Sequence, residues 1–275
     1  MLIGYNTNGF TSHSLDDALR VIAGLGYRSV AITVDHAALN PFSRAHPLEL
    51  ARIGALLGEL DLVPVIETGA RFLLDPWRKH RPTLLEDAPD ERERRLRFLE
   101  RAIEIASSLG APCVSLWSGA RPEGSTASGG ELDTRLIAGL RALCRRAAAA
   151  GVVLAFEPEP GMHIESMADF DRIAAEMESP AFKLTLDVGH AHLTEDSAVD
   201  TVKRYAPRIA NVHLEGMKRP VHDHLAPWEG DLDLAAVVRA LRETGYAGPA
   251  TFELSRHSHA AVDTARRALE FIRAL

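Results

Sequence analysis

Val152-Val-Leu-Ala-Phe-Glu157-Pro-Glu159 and Phe182-Lys-Leu-Thr-Leu-Asp187-Val-Gly-His190 are two short apolar runs that each end in an acid, with a helix-patterned segment over Met167–Met177 between them. A strand, a helix and a second strand in that order call for parallel pairing, because the crossover helix returns the chain to the same end of the sheet. Both runs are nearly continuous rather than alternating, as expected of strands buried on both faces. The same unit recurs in each direction. Upstream, the strand-like runs are Leu2–Asn6, Ser29–Val34, Leu62–Glu67 and Cys113–Trp117, followed by helical segments over Ser14–Leu25, Pro47–Leu60, Asp90–Leu109 and Glu131–Ala150. Downstream, Glu195–Tyr205 reads as the helix after Asp187. Then come strand Ile209–Leu214, helix Leu232–Thr244, strand Ala250–Leu254 and helix His259–Leu275. Ser14 is a good N-cap and Gly26 a good stop for the first helix.

Eight β-then-α units in 275 residues fit one closed (β/α)8 TIM barrel spanning 1–275 as a single domain. No Gly-x-Gly-x-x-Gly follows the first strand, which removes the main argument for an open dinucleotide-binding sheet. Two connections are long, Thr68 to Pro89 and Ser118 to Gly130. Both follow strands, so both belong to the mouth of the barrel, where long loops shape or cover a substrate. Lys79, His80 and Arg81 on the first are candidates to meet an anionic group, although solvated surface charge is the commoner role for such residues. Trp77 and Trp117 are candidates to line a pocket.

The 46% hydrophobic and 25% charged composition is that of a soluble globular chain. The net charge of −7 supplies no general attraction to polyanions, so nucleic acid is not an expected partner. No apolar run approaches the ~20 residues needed to span a bilayer, and the first residues lack a signal-peptide pattern, so the expected location is the cytoplasm with no membrane partner. Cys113 and Cys144 form no metal-binding pair and read as buried thiols.

Chemistry concentrates at the ends of the last four strands. Glu157, Asp187, His213 and Glu253 each follow an apolar run, on four successive units. In a barrel those ends converge on one opening. Three carboxylates aimed at one space repel each other, and a divalent cation relieves the repulsion. Three oxygens and one imidazole suit Mn2+, with Mg2+, Co2+ or Zn2+ as alternatives. His190 lies three residues beyond Asp187, on the same mouth. His192, His257 and His259 read as ordinary polar residues.

At these motifs the chain resembles the xylose-isomerase-like TIM-barrel superfamily of sugar isomerases and epimerases. The pieces that carry the resemblance are Glu157, Asp187-Val-Gly-His190, His213, Glu253 and the segment His224-Leu-Ala-Pro-Trp-Glu-Gly230. The resemblance implies that Glu157, Asp187, His213 and Glu253 hold one metal ion. Glu157 and Glu253 would also act as catalytic acid and base. His190, His224 and Arg219 would contact a small carbohydrate-like substrate, and relatives of this kind are often homo-oligomers. The chain departs from the family pattern at Gly216, at His222 and at Trp228, positions around the substrate rather than the metal. Isomerisation or epimerisation of a sugar, keto-sugar or polyol through an enediolate is the leading expectation. A metal-dependent lyase or dehydratase on a sugar-derived or cyclic polyol is the alternative. An abasic-site endonuclease fits less well, because strand three ends in Glu67 and strand four in Trp117-Ser118 instead of zinc-binding histidines. A non-catalytic binding protein fits less well too, because both candidate catalytic glutamates are present.

Overall fold

A computed structural model describes residues 1–275. The strands β1 (Leu2–Asn6), β2 (Ser29–Thr33), β3 (Val63–Glu67), β4 (Cys113–Trp117), β5 (Val153–Glu157), β6 (Phe182–Asp187) and β7 (Ile209–Leu214) are parallel neighbours in chain order. A later strand, Pro249–Phe252, pairs with both β7 and β1 and closes the barrel. The outer helices are α1 (Leu15–Leu25), α2 (His46–Leu60), α3 (Pro89–Leu109), α4 (Gly129–Ala150) and α5 (Met167–Ala174) in the first five units. Their ends follow local chemistry. Ser14 accepts the Asp17 N–H, Ser128 forms a capping box with Glu131, and Gly26, Gly110 and Gly151 close their helices in the left-handed conformation.

Side-chain parity divides the interior into two regions. Val30, Ile32, Ile66, Val114, Leu116, Leu154 and Phe156 point outward into the large cluster shared with the helices. The intervening Ala31, Val65, Cys113 and Ala155 form a separate small cluster, which fills the lower barrel. Small residues there leave room for polar groups higher up. Cys113 and Cys144 are both buried and unpaired, in agreement with the sequence reading.

The sequence reading differs from the structure mainly after β6. The sequence pattern places the start of a helix at Glu195. Instead the chain turns at Asp187 directly into α6 (Val188–Thr194) and then α7 (Ala198–Tyr205). Asp187 makes this turn by accepting the His190 N–H at 2.8 Å, and Ser197 caps α7 by accepting the Asp200 N–H. After β7 an antiparallel hairpin of β8 (Gly216–Lys218) and β9 (Val221–Leu225) precedes α8 (Leu234–Glu243), and neither short strand has a legible hydrophobic pattern. The closing strand is β10 (Pro249–Phe252), and α9 (Ala261–Arg273) ends the fold. Glu253 therefore lies one residue beyond its strand. Its N–H still donates to the Leu214 carbonyl, which keeps it in register with β7. No helix is long and apolar enough to cross a membrane.

Candidate active site

The four strand-end residues singled out by sequence meet. Ligand atoms of Glu157, Asp187, His213 and Glu253 all lie within 4.8 Å of one another. Asp187 and His213 are direct register partners on β6 and β7, which places them side by side. Nδ1 of His213 is 2.9 Å from Glu253 Oε2, 3.1 Å from Glu157 Oε1 and 3.7 Å from Asp187 Oδ2. Asp187 divides its oxygens between two tasks. Oδ1 caps α6, while Oδ2 is buried and has no hydrogen-bond partner. A buried carboxylate oxygen left without a donor is costly. Here it faces the common centre of two other carboxylates and an imidazole, and such a donor set fits a divalent cation.

The electrostatics agree. Burial raises the Glu157 carboxyl to about 7, against the pull of His213. Burial also acts to raise Glu253, but His213 and His224 outweigh it and bring it to about 2. Burial disfavours a charged His213, yet Glu157, Glu67 and Glu253 hold its pKa well above the usual histidine value. Without an ion, protonated His213 is thus the counter-charge of the cluster. Ligation through Nδ1 requires that proton to leave, and a protonated Glu157 must also ionise. Ion binding therefore releases protons and strengthens as pH rises. Titration of Mn2+ into the ion-free chain at pH 6, 7 and 8 is expected to show affinity rising by about tenfold per unit for each proton released. An affinity that stays flat over this range would contradict the arrangement.

Above the cluster opens a cavity of about 510 Å³. Asn6, Asn8, Glu67, Trp117, Glu159, His190, His224 and Arg256 are among the 22 residues that line it, only 2 of which are hydrophobic. A polyhydroxylated molecule suits such a wall better than an apolar one. Asn8 donates to Glu253 Oε1 at 2.8 Å and fixes that carboxylate from the 3-10 turn Thr7–Phe10 that follows β1. Burial, with Glu157 and Glu253 nearby, raises Glu159 to about 8. His190 is buried, and burial lowers it to about 4, so it is neutral and carries one ring N–H. Its Nδ1 lies 3.2 Å from the Pro158 carbonyl and its Nε2 lies 2.8 Å from His222 Nε2. Donation to Pro158 leaves Nε2 to accept from His222. His224 packs against the fully buried Glu215, completing a polar wall beside His190.

Other sequence expectations divide. Trp117 lines the cavity, whereas Trp77 is 89% exposed and does not. Lys79 and His80 reach the cavity wall. Arg81 instead pairs with Glu86 and donates to the Arg121 carbonyl. No residue of the loop after Ser118 lines the cavity, because that loop is tied to the one after β5: His163 N donates to the Gly119 carbonyl. Arg219 lies outside this cavity. Its guanidinium donates to the carbonyls of His192 and Glu195, and it borders a neighbouring hollow beside His222. His192 pairs with Asp231, an ordinary polar role. Sequence reasoning missed Asn8, Glu67 and the contact of His222 with His190. Only the adjacency of Glu159 to Glu157 gave a usable signal.

The xylose isomerase-like TIM barrel model matches residues 6–275, nearly the whole chain. The chain belongs to that family. Among relatives of this xylose isomerase-like barrel, the inosose dehydratase of Lacticaseibacillus casei is 25% identical over 131 residues, 42% of this chain and 44% of that protein. The barrel thus matches less than half the length of that relative. The L-ribulose-5-phosphate 3-epimerase UlaE of Shigella flexneri serotype 5b is 26% identical over 241 residues, 86% of this chain and 81% of the epimerase. The apo crystal structure of 3-keto-D-glucoside 4-epimerase YcjR from E. coli superimposes with a TM-score of 0.81 over 100% of both chains, at 19% identity. The structure of IolI with a bound zinc atom gives 0.80 over 99% of this chain and 98% of that one, at 17% identity. At these identities the structural likeness establishes the fold.

Proposed function

We propose that this chain is a metal-dependent isomerase or epimerase of a keto-sugar or related polyol, acting by proton transfer through an enediolate. The observation that carries the reading is the convergence of Glu157, Asp187, His213 and Glu253 on one centre beneath a polar cavity of about 510 Å³. Those four residues would hold the ion, Mn2+ by donor type, with Mg2+, Co2+ or Zn2+ as alternatives. When bound, the ion supplies Lewis acidity to oxygens next to the proton that is removed. The similarity to an epimerase over most of both chains supports the same class of substrate.

The chain's own residues supply the rest. Glu157 and Glu253 flank the centre from β5 and from the end of β10, so a substrate lying between them offers a carbon-bound proton to either carboxylate. Glu157 is buried at the floor of the cavity, beside the common centre, so its carboxylate is placed to take that proton. Glu157 takes the proton from the carbon next to the carbonyl, leaving an enediolate. Return of that proton from Glu157 to the former carbonyl carbon, with the hydroxyl proton passing between the two oxygens, gives isomerisation. Delivery to the opposite face of the original carbon, by a Glu253 that has first taken up a proton from solvent, gives epimerisation. His190 and His224 line the cavity where they can hydrogen-bond substrate oxygens. Arg219 would join them only by leaving the carbonyls of His192 and Glu195.

The partial match to inosose dehydratase favours one second reading, loss of water from a cyclic keto-polyol through the same first proton abstraction. One experiment separates the two. Mn2+-loaded protein is incubated in D2O with a panel of ketoses, their phosphates and inososes, and followed by NMR. Epimerisation or isomerisation places deuterium on a carbon beside the carbonyl of a product that keeps its oxygen count. A dehydratase yields a product short of one water. Absence of both exchange and turnover across the panel sinks the enzyme reading.

A further inference from the structure

His213 has two ring nitrogens, and they face different partners. Nδ1 faces the three carboxylates of the candidate metal centre. Nε2 lies 2.9 Å from Oε1 of Glu67. Glu67 ends β3, and β3 stands four strands away from β7 in an eight-stranded barrel, on the opposite wall. Its side chain therefore crosses the barrel to reach the ring. Glu67 is buried, 7% exposed, and no lysine or arginine pairs with it.

A second donor converges on the same oxygen. Asn211 sits two residues before His213 on β7, on the same strand face. Its Nδ2 is 3.3 Å from Glu67 Oε1 and 3.2 Å from His213 Nε2. An amide nitrogen donates and cannot accept. Two N–H groups side by side, aimed at one carboxylate oxygen, make a consistent set only when His213 Nε2 carries its hydrogen. Thr185 continues the layer beneath the centre, its one hydroxyl hydrogen shared between Ser115 Oγ and the Ala155 carbonyl. These groups are all buried, at the floor of the cavity.

We propose that Glu67 is the positioning carboxylate of the metal centre: it accepts the His213 Nε2–H, with Asn211 as its second donor, and so presents Nδ1 as the metal-binding nitrogen. This rests on the metal reading given above and adds a residue to it. Glu67 is not itself a ligand, because the imidazole ring stands between it and the cluster. Its action is to fix the ring plane and the tautomer, and to make the ligating nitrogen more basic. Without it, His213 can turn its unprotonated nitrogen away from the carboxylates.

Calorimetric titration of Mn2+ into the ion-free full-length chain tests this, with wild type beside Glu67→Ala and Glu67→Gln. Loss of such a partner weakens ion binding by about 10–100-fold, which is the effect expected for Glu67→Ala. In Glu67→Gln the amide oxygen still accepts the Nε2–H, so a smaller loss is expected. A purely structural role would lower the melting temperature of the ion-free variants and leave their Mn2+ affinity alone. The Zn2+-loaded wild type, labelled with 15N at histidine, gives the tautomer directly. The expected spectrum has a His213 Nε2 carrying a slowly exchanging proton and an Nδ1 that carries none. A protonated Nδ1 with an ion-bound Nε2 overturns the proposal even if Glu67→Ala does not fold. A folded Glu67→Ala of unchanged Mn2+ affinity overturns it alone, whereas a wild type that takes up neither ion overturns the metal reading and this proposal together.

Discussion

Glu157→Gln is expected to leave a folded chain whose solvent-proton exchange is lost. Glu157 is a cluster carboxylate, 9% exposed, with its pKa raised to about 7 by burial. The amide has the same shape but neither takes a proton nor ligates as strongly. A positioned general base contributes about 10²–10⁴-fold in rate, and weakened ion binding adds to that. Exchange should therefore fall by at least about a hundredfold. Stability should not follow. The substitution removes one of several acids crowded around His213, and fewer like charges lower the repulsion in the ion-free state. The expected melting temperature of the ion-free variant equals or exceeds that of wild type. Deuterium uptake at saturating Mn2+ separates lost chemistry from lost metal, and wild-type rates there would remove Glu157 from the catalytic role.

Stripping the chain of divalent ions is the second large effect. Chelation followed by dialysis should abolish turnover of whichever panel substrate is active, and returning Mn2+ should restore it. The stripped chain keeps an unpartnered Asp187 Oδ2 and relies on protonated His213 for counter-charge. An ion that binds only the folded state stabilises it by mass action, about 2.7 kcal/mol when present at a hundredfold above its dissociation constant. For a domain of this size that corresponds to a rise in Tm of roughly 5–10 °C. A stripped chain with undiminished turnover, or one whose Tm ignores added Mn2+, contradicts the centre described here. The two experiments are independent, because the melting shift needs no knowledge of substrate.

Glu157, Asp187, His213 and Glu253 were legible in the sequence for one reason. Each closes an apolar run in its own β/α unit, and a barrel gathers the ends of such runs at one mouth. Glu67 closes a run in the same way, yet nothing local distinguishes it from a helix-capping or surface acid. Its role appears only when β3 faces β7 across the barrel. Asn8 holds Glu253 from a position 245 residues away in the chain, and no pattern of period two or 3.6 carries such a pairing. Arg219 illustrates the opposite case. The family resemblance places it near substrate, but from the hairpin of β8 and β9 its guanidinium reaches the carbonyls of His192 and Glu195 at the C-terminal end of α6. Trp77 fell to the same cause, since a residue in an irregular loop has no periodic neighbour to set its direction.

What the sequence determined by itself was the order of eight β/α units, the burial of their strands and the identity of the residues at the strand ends. These are local properties, written in hydrophobic period and helix-stop chemistry within about a dozen residues. The tertiary structure decided which side chains touch across the barrel, which nitrogen of His213 faces the carboxylates, and which loop residues enter the cavity. Those depend on strand tilt and register around a closed sheet, a condition imposed on all eight strands at once and carried by no single segment.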